Sequence, residues 1–157
     1  MRAAVLGLAL LQCSCGREDD GRVAALRTAL DAFVPADKRS GLCLGAELTE
    51  RPSAADYAWI VIPAPLPRGF EDLEPPSQSE LAYDPGPFRT EPVPSAVGDW
   101  RLGDVIKDVC FEATIPIIKD DRALVSVGRM GGRDNFFLQR DGPGWRVVAR
   151  TFDRTDI

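Results

Sequence analysis

The chain has 157 residues and a formal net charge of −5 at neutral pH, from 19 basic and 24 acidic side chains, and it contains no histidine. The missing histidine excludes Ser-His-Asp and Cys-His nucleophile systems and every histidine metal site. No block of Lys and Arg occurs. Nucleic acid is therefore not an expected partner, since binding it requires neutralisation of its phosphates.

The first 14 residues have the organisation of a secretory signal peptide. Met1 and Arg2 give a short positive start, and the nine residues 3–11 are apolar without interruption. A bilayer-spanning helix needs about 20 apolar residues, so this run is too short to cross a membrane. The alternative is a buried N-terminal helix of the folded domain.

Cys15 follows Ser14 after the apolar run, and this arrangement resembles the signal of bacterial lipoproteins, although Gln12 stands where those signals usually have an aliphatic residue. The resemblance implies cleavage after residue 14, a lipid on Cys15 and attachment to a membrane of a bacterial cell envelope, facing the periplasm. The alternative is a soluble secreted protein. Residues 15–22, which include the charged GREDDGR, predict a flexible tether, and residues 23–157 predict a single domain.

One helix and two strands are predicted in the first part of the domain. Residues 23–33 carry apolar side chains at helical spacing, and Pro35 ends the pattern. Residues 41–48 and 58–62 are typical of strands. The second strand is largely apolar without alternation, which predicts that both its faces are covered.

Residues 63–94 contain nine of the thirteen prolines and show no helical or strand periodicity. Because proline removes backbone donors and interrupts helices and sheet ladders, residues 63–98 are predicted to form a long Pro-rich insertion without regular structure. The motif PAPLPRG at residues 63–69 favours a polyproline II conformation. Such a segment is interpreted either as a docking motif for a partner or as a solvated loop.

The last third of the chain is typical of a β-meander. Turn residues separate β-branched and aromatic runs, which predicts strands at residues 107–118, 123–130, 135–140 and 145–152. Here DDRALVSVGRMGG and NFFLQRDGPGWRVVA resemble the C-terminal hairpins of small uncharacterised bacterial envelope lipoproteins. The resemblance implies a fold segment with Trp145 as its large apolar anchor, and it implies no activity.

These elements predict an α+β fold with one N-terminal helix packed on an antiparallel sheet of about five or six strands. A helix on a curved antiparallel sheet is the architecture of cystatin-like and NTF2-like domains, an analogy at the level of the fold alone. The alternative is an all-β sandwich with the helix at its periphery.

Cys43 and Cys110 form an even pair in a chain with an export signal, which predicts a disulfide. Strand alternation places each cysteine on the side of its strand opposite the apolar residues. A bridge would close a loop of about 68 residues and contribute roughly 4 kcal/mol to stability in the chain-entropy model. Two unpaired thiols are the alternative.

Few residue patterns point to chemistry. With the two cysteines paired, a thiolate zinc site has no ligands, and the glycine cluster GRMGGRDN lies in a hairpin rather than before a helix, so no phosphate cradle is expected. Asp120 and Asp121 are interpreted as a solvated turn rather than metal ligands. Because an NTF2-like pocket can use an Asp and a Tyr for proton transfer, Asp56, Tyr57 and Glu112 are the candidates for a carboxylate-based active site.

The expected function is non-catalytic, with no cofactor and no metal: a protein held at a membrane through an N-terminal lipid, binding a protein or cell-wall partner. One alternative is a small-ligand binder or carboxylate-based enzyme with an NTF2-like pocket. Another is an exported enzyme inhibitor, because a small acidic protein can block a basic enzyme. A deep apolar pocket with a perturbed carboxylate favours the pocket alternative, whereas a flat surface with an apolar patch favours a binding role.

Overall fold

The computed structural model describes residues 16–57, 61–78, 87–129 and 131–155. In this part of the chain one α-helix lies against a nine-stranded mixed sheet, an α+β arrangement dominated by strands. The elements are α1 (Gly16–Phe33), β1 (Cys43–Thr49), β2 (Val61–Ile62), β3 (Thr90–Pro92), β4 (Arg101–Gly103), β5 (Phe111–Thr114), β6 (Ile117–Lys119), β7 (Arg122–Arg129), β8 (Gly132–Asp141) and β9 (Gly144–Thr155).

The strand order is β2-β9-β8-β7-β5-β1-β3, with β4 beside β1 and β6 beside β7. Strands β7 to β9 form the predicted antiparallel meander. In contrast, β1 runs parallel to both β4 and β5, so the prediction of an antiparallel sheet is wrong for this half. A short turn forces antiparallel pairing, whereas about 50 residues separate β1 from β4 and leave both directions open.

Helix α1 begins at Gly16, so residues 16–22 are helical and the prediction of a flexible tether there is wrong. Residue 15 lies outside the described residues. The early start has a tertiary cause, since the Trp145 indole N–H donates to the Gly21 carbonyl at 2.9 Å. Among the described residues, no helix combines the length and the apolar character needed to cross a membrane.

One face of the sheet forms the main core with α1. Leu26 and Leu30 of the helix are fully buried together with Val125, Phe136 and Leu138 of the meander. The helix is thus central to the core, which argues against a sandwich with a peripheral helix. The helix ends at Phe33, two residues before a proline, as the sequence predicts.

The opposite face of the sheet is covered by the Pro-rich segment. Phe70 and Leu73 pack on Leu124 of β7 and Phe137 of β8, and the Phe70 and Phe137 rings meet edge-on with centroids 5.3 Å apart. Residues 63–78 therefore form a second layer over the sheet, although their regular structure is limited to the 3-10 turn Glu71–Leu73. The sequence of this layer has no helical or strand periodicity, because the side chains that cover the sheet are isolated apolar residues between prolines.

The rest of the insertion also joins the fold. Leu66 of the PAPLPRG motif packs against the same second cluster, so the motif lies on the protein's own sheet. Residues 87–98 contribute β3 and bury Val97 in the main core. Residues 79–86 lie outside the described residues.

Two predicted strands differ in extent from the observed ones. The strand predicted at 107–118 is interrupted twice. The chain turns before Cys110, and β5 is separated from β6 by Pro116, which cannot donate to a ladder. Of the strand predicted at 58–62, residues 58–60 lie outside the described residues. Its last residue, Ile62, is 56 % exposed, so the prediction of cover on both faces is wrong there.

Cys43 and Cys110 form the predicted disulfide, with Cα atoms 4.7 Å apart. Both cysteines are buried, but the main apolar cluster contains neither of them, whereas Leu42, Leu44 and Phe111 pack in it, as the predicted strand faces require. The extended backbone starts only after Val109, whose φ is 55° and whose side chain is 62 % exposed.

Candidate functional site

Asp56 is fully buried in the 3-10 turn Ala54–Tyr57. Its Oδ2 accepts from the backbone N–H and the hydroxyl of Ser53 at 2.8 and 2.9 Å, and its Oδ1 accepts from the Ser77 hydroxyl at 2.7 Å and the Gln78 N–H at 3.1 Å. Burial raises the pKa of Asp56, but these hydrogen bonds together lower it by more. The pKa of the Asp56 carboxyl therefore lies below its ordinary value. The ionised carboxylate thus ties two loop segments together, which is a structural role.

Tyr57 and Glu112 line a common cavity of about 260 Å³ on the sheet face opposite α1, which we call the Tyr57 cavity. The Tyr57 ring lies 6.1 Å from the Phe88 ring, tilted by 38°, and the Arg133 guanidinium lies 5.7 Å from the Tyr57 ring centre. Burial raises the pKa of the Tyr57 phenol, which the positive charge of Arg133 opposes. The structure therefore brings together two of the three predicted candidates and adds an arginine to them.

Beneath the cavity lies a network of buried polar side chains. The Ser126 N–H donates to Thr114 Oγ1 at 2.9 Å, and the Ser126 hydroxyl donates to Asn135 Oδ1 at 2.6 Å. Arg51 Nε in turn donates to Ser126 Oγ at 3.1 Å, although Arg51 itself is only 3 % exposed. Each member has its partners, so the cavity has a fixed polar floor.

A buried ion-pair network adjoins this floor. The carboxylate of Asp153, 1 % exposed, lies 3.2 Å from Arg133 Nε and 3.7 Å from Arg51 Nη2, and it also accepts the Ala64 N–H at 3.0 Å. Arg51 Nη1 lies 3.0 Å from Glu74 Oε2. Two arginines and two carboxylates therefore neutralise one another inside the protein.

This network was not predicted from the sequence. Ser126, Asn135 and Thr151 occupy one line across β7, β8 and β9, since the sheet register pairs Ser126 with Asn135 and Asn135 with Thr151. The available signal was Ser126, which interrupts the apolar run of β7, whereas β8 and β9 contain several other polar residues. The signal becomes readable only when the register that aligns the strands is known.

Asp120 and Asp121 lie in the turn between β6 and β7, as predicted. The Asp121 carboxylate accepts a hydrogen bond from the Gln139 side-chain amide, and Asp120 takes a positive φ of 56°. Within the described ranges, no three potential metal-ligating side chains come together.

A larger groove of about 780 Å³ runs between residues 72–76 and residues 115–118. Several of its charged groups are paired: Asp72 lies 2.8 Å from both Lys119 Nζ and Arg122 Nη1. The groove is open and mixed in polarity, so it is not the deep apolar pocket that the enzymatic alternative requires.

The exposed apolar surface is concentrated on residues 102–109, which comprise the end of β4 and the connection that follows it and which we call the apolar loop. Four of the seven exposed large apolar side chains in the described part of the chain lie on it. They are Leu102 (46 % exposed), Val105 (36 %), Ile106 (88 %) and Val109 (62 %). Single exposed apolar residues are common, whereas contiguous apolar patches mark interaction surfaces, so these four side chains within eight residues are the candidate for such a surface.

Hydrogen bonds make this loop rigid. Asp104 Oδ1 accepts the N–H groups of Ile106 and Lys107 at 2.9 Å each, which lowers the pKa of Asp104. Asp108 Oδ2 accepts the Asp104 N–H at 2.8 Å. The loop ends on Val109, whose positive φ is strained by roughly 1–3 kcal/mol because its side chain is β-branched.

Cys15, the predicted lipidation site, lies outside the described residues. Comparison of the chain with protein-family models, with curated proteins and with solved structures finds no significant match. Function therefore has to be inferred from the Tyr57 cavity and the apolar loop themselves.

Proposed function

We propose that this chain is a non-catalytic, lipid-anchored protein of a bacterial cell envelope that binds a partner protein through the apolar loop. The observation that carries the proposal is the display of four apolar side chains on a loop held rigid by hydrogen bonds. A rigid loop loses little conformational entropy on binding. Complete burial of an aliphatic side chain of this size contributes about 1.5–3 kcal/mol.

Export to the cell envelope rests on two features. Residues 1–14 have the organisation of a signal peptide ending before Cys15. The Cys43–Cys110 disulfide is compatible with an oxidising compartment such as the periplasm.

The geometry of α1 supports a partner on the side away from the membrane. The helix begins at Gly16, directly after the proposed lipidated Cys15, and its 18 residues extend about 27 Å. At the far end, the Phe33 ring lies 4.9 Å from that of Phe111, next to Cys110 and the end of the apolar loop. A lipid on Cys15 would therefore hold the loop at the end of the domain remote from the bilayer.

Two alternative functions are also proposed. A cystatin-like or NTF2-like fold with a small-ligand or carboxylate-based activity would place that activity in the Tyr57 cavity, because two of the three candidate residues, Tyr57 and Glu112, line it. An exported enzyme inhibitor is compatible with the net charge of −5, which favours a basic enzyme as the partner.

Site-specific photo-crosslinking in cells tests the proposal. A crosslinking side chain at position 106 of the full-length protein should capture one defined envelope protein, whereas the same group at Val148, 41 % exposed on β9, should not. Ile106→Asp should abolish capture from position 102, and Val148→Asp should leave it unchanged. Lipid adducts at position 106, or equal protein capture at positions 106 and 148, would contradict the proposal.

A further inference from the structure

We propose that the Tyr57 cavity binds a small organic cation bearing a protonated amine. This site lies on the sheet face opposite α1, and its assignment does not depend on the apolar loop or its partner. Its volume of about 260 Å³ is just below the range of about 300–1,000 Å³ for ligand pockets, so it suits a compact molecule rather than a drug-sized one.

The charge balance around the cavity selects a cation. The neighbouring arginines are already matched, Arg133 with Asp153 at 3.2 Å and Arg51 with Glu74 at 3.0 Å. The carboxylates of Glu50 and Glu112, which also line the cavity, have no ion-pair partner among the described residues.

The contacts of Glu50 are neutral. Its Oε2 accepts from the Gln78 amide at 2.9 Å and from the backbone N–H of Arg89 at 3.4 Å. The Arg89 guanidinium lies 3.6 Å from Glu91, which is itself paired with Arg22 at 2.9 Å, so Arg89 offsets part of the negative charge nearby. The charged side chains that line the cavity are Glu50, Glu112 and Arg133, a net charge of −1, which disfavours an anionic ligand.

The aromatic wall favours the same class of ligand. Tyr57 and Phe88 both line the cavity, with ring centres 6.1 Å apart, and aromatic faces attract ammonium groups through their quadrupoles. The Arg133 guanidinium already occupies one side of the Tyr57 ring at 5.7 Å, which shows that this ring accepts a cation.

The floor of the cavity is set before a ligand arrives. The side chains of Thr114 and Ser126 that line it are buried and held by the network to Asn135 and Arg51. Little reorganisation is then required on binding, which favours a defined orientation of the amine between the carboxylates and the rings.

Titration of the full-length, disulfide-bonded protein with benzylamine and benzyl alcohol, followed by NMR chemical shifts, tests the inference. Benzylamine should bind with shifts at the backbone of Glu112 and Gly128, and the neutral benzyl alcohol should bind at least about tenfold more weakly, because it lacks the charge-assisted contact. Equal affinity for the two compounds, or no benzylamine binding at millimolar concentration, would overturn the assignment.

Two isosteric variants test whether the Glu112 carboxylate contacts the amine. Glu112→Gln should weaken benzylamine binding about tenfold, whereas Glu47→Gln, an exposed carboxylate of β1 outside the cavity, should leave it unchanged. Both side chains are exposed, so both variants should fold, as amide spectra will verify. Phe88→Leu should weaken benzylamine binding more than benzyl alcohol binding. Equal effects of Glu112→Gln and Glu47→Gln would show that the attraction is merely non-specific and would refute the site.

Discussion

Cys43 and Cys110 each stand one residue before a paired position of the parallel strands β1 and β5, Leu44 and Phe111, and their Cα atoms are 4.7 Å apart. The disulfide thus joins the two strands at the point where β5 enters the sheet. It also fixes the end of the apolar loop, because Val109 immediately precedes the second cysteine. One covalent bond therefore supports both the mixed half of the sheet and the proposed binding surface.

Removal of this disulfide is expected to destabilise the fold. With a sequence separation of 67 residues, replacing both cysteines with alanine should lower the free energy of unfolding by about 4 kcal/mol. Denaturant unfolding with and without reductant measures the loss. Reductant should shift the wild-type midpoint and leave that of the double variant unchanged, and an unshifted wild type would contradict the prediction.

The lowered pKa of Asp56 predicts that the fold loses stability in acid. The pKa of this carboxyl and that of Asp72, which lies at about 2 through its bonds to Lys119 and Arg122, are lower in the folded chain than the unfolded value near 3.9. Their contribution is therefore complete above about pH 4 and is lost as the pH falls through the folded-state values. Urea unfolding between pH 6 and pH 2 should show this slope.

Asp56→Asn should reduce that slope and lower stability at pH 6, because an amide nitrogen would face N–H and hydroxyl donors. The exposed Asp37 offers a control, since Asp37→Asn should change neither quantity. Equal acid profiles for the wild type and Asp56→Asn would argue against the structural role of Asp56.

The buried Arg51 should contribute far more to stability than the exposed Arg27. Arg51→Met leaves the buried Asp153 with one fewer cationic neighbour and should cost roughly 3–5 kcal/mol of stability. Arg27→Met removes an exposed pair to Asp31 at 3.9 Å and should change stability by less than about 1 kcal/mol. Thermal unfolding compares the two variants, and similar losses would show that the polar network contributes little.

Trp145 holds the start of α1. Trp145→Phe removes the hydrogen bond to the Gly21 carbonyl and should cost about 1 kcal/mol, whereas Trp145→Ala should cost roughly 3–5 kcal/mol. Hydrogen exchange should accelerate in residues 16–22 of Trp145→Phe while residues 26–33 stay protected. Unchanged exchange in both segments would mean that other contacts fix the helix start.

The Pro-rich layer should resist proteolysis in the wild type. Leu73→Ala removes a fully buried anchor and should cost about 2–5 kcal/mol, with faster cleavage within residues 63–78. Ile62→Ala, at a side chain 56 % exposed, should alter neither stability nor cleavage by much. Rapid cleavage of the wild type in this segment would contradict the two-layer description.

Short-range patterns account for the parts of the fold that the sequence predicts correctly. The meander β7 to β9 follows from turn residues between β-branched runs, and the buried face of α1 follows from the spacing of Leu26 and Leu30. The Cys43–Cys110 pair follows from parity in a chain whose first 14 residues predict an export signal. Each of these inferences needs only neighbouring residues or a count.

The remaining features depend on residues far apart in the chain. The parallel pairing of β1 with β5, the cover by Phe70 and Leu73, and the meeting of Tyr57 with Glu112 at one cavity arise only when distant segments adopt a common register. No local period encodes such contacts, because their free energy comes from burial and charge matching between segments. The sequence alone therefore names the candidate carboxylates, and the packing of the sheet's second face determines which of them can meet a ligand.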